Sequence, residues 1–203
     1  MSLPVPQPRK RLHQRQVRYE GFARDDGLFD IEGHLVDTKD QDTTLLTGVR
    51  HAGDPIHDMW VRLTIDRQFV IHAIEVKASA IPYPGGCERI EPAYQKLVGE
   101  NLMKNFRLAL HSALGSVKGC THITELLGNA PTAAVQTFAG LRKREDEGAD
   151  KPFQLDRCHA LDTTGEVVKR YYPKWYRAAA RVGAAADLRP TQAVRVPDAQ
   201  ENK

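Results

Sequence analysis

A cysteine, a histidine and a glutamate crowd into residues 115–127, GSVKGCTHITELL. From Ile123 the apolar residues Leu126, Leu127, Ala130, Ala134 and Phe138 follow at steps of mostly three and four, so a helix with one buried stripe begins here. Gly119 lets the chain turn sharply just before it. Cys120 then sits at the helix start, where free backbone N–H groups stabilise a thiolate. His122 and Glu125, three residues apart, share a helical face. A thiolate, an imidazole and a carboxylate at one helix end suit a metal corner, or a nucleophile with its base and orienting group.

The chain has three cysteines, and two of them have a histidine within two residues. Cys87 follows a loop rich in proline and glycine, and Cys158 stands beside His159. Thiolate and imidazole are ligands for zinc or for iron–sulfur chemistry. Cys87, Cys120 and His122, with Cys158 or His159, make a candidate four-ligand set. Neighbours in a strand point to opposite faces, so only one of Cys158 and His159 joins it. No C-x-x-C spacing supports the set. The enzyme alternative takes Cys120 as nucleophile, His122 or His57 as base, and Glu125 or Asp58 as orienter, for acyl or thioester transfer. An oxygen and nitrogen variant of the metal site uses His34, His57, Asp58 and Asp30. A non-catalytic binding module, in which these side chains only pack, is the third reading.

The remainder must position these groups. The segment 27–36 (GLFDIEGHLV) alternates, with Phe29, Ile31 and Leu35 on one face and Asp30, Glu32 and His34 on the other, which predicts a strand. Residues 37–55 read as a loop. Met59, Val61, Leu63 and Ile65 mark a second strand, with His57 and Asp58 at its start. Residues 69–77 (FVIHAIEVK) form a third, paired with the second as a hairpin. Residues 81–87 (IPYPGGC) break the pattern. A helix is predicted over 93–114 and closed by Gly115, and Pro131 is expected to kink or divide the helix after it. Alternation in 153–161 (FQLDRCHAL) and the return over 166–172 predict a second hairpin. The fold class is α+β, an antiparallel sheet of an early strand and two hairpins packed on two central helices.

The chain has 203 residues and a formal charge of +3, too small to imply nucleic acid. Residues 1–16 read as an unstructured basic arm, 17–177 as one domain, and 178–203 as an Ala/Pro-rich tail. No stretch approaches the roughly 20 apolar residues of a membrane span, and no apolar signal core opens the chain. An odd number of cysteines argues against a disulfide framework, so a cytoplasmic location is expected. Composition names no partner. No P-loop, G-x-G-x-x-G, H-E-x-x-H or G-x-S-x-G motif is present.

The blocks DGLFDIEGHLVDTK, GDPIHDMWVRLTID, PYPGGC, GCTHITELL and RCHAL, in this order, resemble bacterial domain-of-unknown-function family 2889. The resemblance runs from about Arg15 to Tyr176 and implies domain limits but no activity. The order of hairpin, loop cysteine and helix cysteine also resembles iron–sulfur scaffold proteins and their zinc-binding relatives. The G-C-T-H setting and the lack of a further nearby cysteine depart from that pattern.

Overall fold

The computed structural model describes residues 3–139, 141, 151–152 and 154–178. The chain divides into two compact units, Met1–Lys143 and Arg144–Lys203.

The first unit is built on a four-stranded antiparallel sheet in the order β1-β2-β5-β6. Its strands are β1 (His13–Ala23), β2 (Phe29–Lys39), β5 (Pro55–Ile65) and β6 (Ile71–Ala80). A small hairpin, β3 (Thr43–Leu45) with β4 (Gly48–Arg50), fills the connection from β2 to β5. The α+β class is therefore the observed one.

Strand β1 begins at His13, inside the stretch expected to be an unstructured arm. Its own sequence carries little apolar alternation, and pairing with β2 along its whole length makes it a strand. Strand β2 shows the predicted period of two: Phe29, Ile31, Leu35 and then Asp37 are buried. Met59, Val61, Leu63 and Ile65 of β5 and Ile71, Ile74 and Ala78 of β6 extend that apolar face.

Helix α2 (Thr121–Phe138) covers the face, packing on β1, β2 and β5 through Ile123, Leu126, Leu127, Ala130 and Ala134. Pro131 does not divide it, one of the two outcomes expected there: the buried Ala130 and Ala134 hold that turn against the sheet despite the lost N–H. A Cβ on Gly21 would collide with the Thr137 side chain, so glycine lets α2 lie close on β1.

The helix predicted over 93–114 is two pieces. A 3₁₀ stretch, Glu88–Leu97, precedes α1 (Phe106–Leu114). Gly99 (φ 90°) and Asn105 (φ 53°) adopt left-handed backbone between them, and residues 99–102 bond to the start of β6 instead.

Among the described residues of the second unit, the second predicted hairpin is absent. Cys158 precedes a 3₁₀ turn, His159–Leu161, and α3 (Glu166–Tyr171) follows. Asp156 accepts the Thr163 N–H (2.8 Å) and hydroxyl (2.9 Å), and Asp162 accepts the Thr164 N–H (2.8 Å). These side-chain bonds tie the backbone into turns, which compete with a strand ladder. The tail expected beyond Ala178 lies outside the described residues.

Candidate metal centre

The buried alternation of β2 ends on a carboxylate. Phe29, Ile31 and Leu35 face the core, and Asp37 takes the next position at 3 % exposure. Register places Arg15 of β1 opposite Asp37 on one side and His57 of β5 opposite it on the other. His13, two residues before Arg15, lies on the same face.

Helix α2 begins above this row. Gly119 admits the chain where a Cβ would meet the Leu114 carbonyl, so Cys120 can act as N-cap. The buried Tyr94 hydroxyl accepts the Cys120 N–H (2.8 Å) and donates to the Cys120 carbonyl (3.2 Å). That pair of bonds fixes the helix start, and His122 comes down beside His57, ring centroids 3.8 Å apart.

Asp37, His57 and His122 each offer a ligand atom, and these atoms all lie within 4.8 Å of one another. His57 Nδ1 is 3.1 Å from Asp37 Oδ2, and His122 Nε2 is 3.8 Å from the same oxygen. Two ligands of a tetrahedral ion, each about 2.1 Å from it, stand about 3.4 Å apart. The two observed distances bracket that separation.

The carboxylate is already aimed. Arg15 Nε donates to Oδ1 (2.9 Å) and Arg15 Nη2 to Oδ2 (2.8 Å), while His13 Nε2 lies 2.8 Å from Oδ1. These bonds use three of about four lone-pair positions. The fourth, on Oδ2, faces the two imidazoles. Burial pushes the Asp37 carboxyl up, but the Arg15 and His13 hydrogen bonds outweigh it and hold it at about 2. Burial, reinforced by neighbouring His122, pushes His57 below the usual histidine value, against the pull of Asp37. The site therefore presents a carboxylate and a neutral imidazole, the forms that bind metal.

Cys120 Sγ lies 3.8 Å from His122 Nδ1, the ring nitrogen away from Asp37. Burial pushes this thiol up, yet His122 and the backbone N–H groups of Ile123 and His122 outweigh it, leaving the thiol below its usual value. Glu125 accepts from Arg15 Nη1 at 2.6 Å, so it supports the residue that orients Asp37.

The structure separates other candidates. His57 faces the core, whereas Asp58 points to the opposite face and meets His34 Nε2 at 2.9 Å. Alternation along β5 dictates that split, so Asp58 cannot orient His57. Asp30 accepts from the Thr64 hydroxyl at 2.7 Å and pairs with Arg24 at 3.3 Å. Cys87 precedes the 3₁₀ stretch and joins no cluster of three or more ligands among the described residues. Cys158 and His159 are exposed and belong to the second unit. One cysteine beside an Asp/His/His group is not a donor set for an iron–sulfur cluster.

Asp37, Arg15 and His13 went unrecognised in the sequence. The signal for Asp37 was there: extending the buried alternation of Phe29, Ile31 and Leu35 by one step lands on it.

Among the described residues, no helix is long and apolar enough to cross a membrane. Residues 13–136 match the model of a protein family described as a protein of unknown function (DUF2889), and the chain belongs to that family. The match spans every residue from His13 to Glu125 that builds the site, and it ends before the RCHAL block at 157–161. No curated protein and no solved structure matches the chain.

Proposed function

We propose that this DUF2889 chain is a metal-dependent enzyme whose mononuclear centre is held by Asp37, His57 and His122, with zinc the ion that suits these donors. One observation carries the reading: the ligand atoms of Asp37, His57 and His122 lie within 4.8 Å of one another, beside the one carboxylate lone pair that Arg15 and His13 leave unused. Three protein ligands that include two histidines and a carboxylate, with a position left for water, are the pattern of catalytic rather than structural zinc. A zinc ion so held supplies a Lewis acid and a water acidic enough to act as hydroxide near neutral pH, which suits hydrolysis. Arg15 and His13 fix the carboxylate, and Cys120 fixes the ring of His122, as outer partners of ligands commonly do.

The test is zinc titration by calorimetry on the full chain, beside His57→Ala and His122→Ala. One site per chain, lost in both variants, supports the reading; unchanged binding in both removes it.

A second reading rests on the contact between Cys120 and His122. Sγ, the His122 ring and Asp37 lie in series, the order of a nucleophile, its base and an orienting carboxylate, which suits acyl or thioester transfer. Rapid alkylation of Cys120 with zinc absent and no zinc binding at all would favour this reading over the first.

A further inference from the structure

The two edges of the sheet are treated differently. At β6, residues 99–102 bond to its start, Glu91 accepts the Ala78 N–H (2.8 Å), and Gln95 donates to the Ile74 carbonyl (2.6 Å). At β1, among the described residues, no strand and no side chain bonds the outer edge. That edge is eleven residues long, has no proline, and shows no register shift against β2. Long regular edges of this kind are templates for another strand.

We infer that β1 pairs antiparallel with β1 of a second copy of the chain, with the two-fold axis at Tyr19, joining two four-stranded sheets into one. Residues opposite one another in an antiparallel pair point to the same face, so in a self-pairing the axis runs between the two copies of one residue. With the axis at Arg18, two guanidinium groups oppose each other. With the axis at Glu20, two carboxylates do. With the axis at Tyr19, Arg18 and Glu20, which already pair within one strand at 3.2 Å, each also face the opposite charge on the second copy, and the four groups alternate in sign across the axis.

The same register serves the apolar side chains. Val17, 42 % exposed, comes opposite Gly21, which has no side chain to crowd it. Phe22, 45 % exposed, comes opposite Gln16 and is covered by its stem. A groove of about 720 Å³ between β1 and α2, lined in part by Tyr19, Gly21, Asn129, Ala133 and Gln136, opens along this edge and receives side chains of the second copy.

Sedimentation velocity of the full chain over a dilution series tests this. The wild-type chain shows a monomer–dimer equilibrium. Arg18→Glu and Glu20→Arg each place like charges opposite one another twice and weaken the dimer by about tenfold or more. The double variant R18E/E20R restores it. Should a charge reversal unfold the chain, Arg18→Gln and Glu20→Gln carry the same test, since each deletes both ion pairs. A wild-type chain that stays monomeric, single variants that dimerise like wild type, or a double variant that fails to recover would overturn the inference; a monomer that instead captures a foreign strand counts with these.

Discussion

Two short segments of this chain look alike in sequence, and the fold treats them differently. One places Cys120 two residues before His122; the other places Cys158 next to His159. The first caps a helix laid over the sheet, so its imidazole meets Asp37 and His57 and its thiol meets that imidazole. The second sits on an exposed 3₁₀ turn. Reactive residue types do not make a site. A buried carboxylate held by cross-strand neighbours gathers them, and Asp37 is the group around which the first segment's side chains meet.

Removing Asp37 sharpens the contrast most. Asp37→Ala deletes the acceptor that Arg15, His13 and His57 share; Arg15 and His13 are themselves exposed and regain water, so the loss is about 2 kcal/mol, that of hydrogen bonds to a charged group. Urea unfolding should show that loss, together with loss of zinc. Cys120→Ser acts on the ligand's outer partner: zinc remains bound, about 10- to 100-fold more weakly by competition with a chelator, with stability nearly unchanged.

Acid acts on the first region through its central carboxylate. Asp37 is held at about 2, below an unfolded carboxylate near 4, so it stabilises the metal-free fold above about pH 4. That contribution drains away as pH falls from about 4 toward about 2, and Asp37→Asn should flatten this acid limb in equilibrium unfolding. The smallest effect belongs to the other segment. Cys158→Ser with His159→Ala should leave zinc affinity unchanged and move stability by no more than about 0.5 kcal/mol.

Much of the fold was legible because the apolar periods are strong. Phe29 through Leu35, Met59 through Ile65 and Ile123 through Phe138 announce β2, β5 and α2 directly. Strand β1 was hidden, since Gln14, Gln16 and Arg18 carry no apolar pattern and its order comes from β2. The helix expected over 93–114 failed at Gly99 and Asn105, whose left-handed backbone turns the chain toward β6. Around Cys158, alternation alone suggested a strand, but Asp156 and Asp162 bind their own neighbourhood and close turns. Cys120, His122, His57 and Glu125 were visible as chemistry. Their common partner was not, because the alternation over 27–36 predicts a strand that ends at Val36 and leaves the polar Asp37 as the first residue of a loop. Only register shows that Arg15, Asp37 and His57 form one row.

X-ray absorption at the zinc edge of the full chain loaded with one equivalent of zinc tests the central claim most directly. The account predicts a shell of nitrogen and oxygen ligands at about 2.0–2.2 Å and no sulfur, because Cys120 touches a ligand without being one. A sulfur scatterer at about 2.3 Å, or zinc that washes away before measurement, would contradict it.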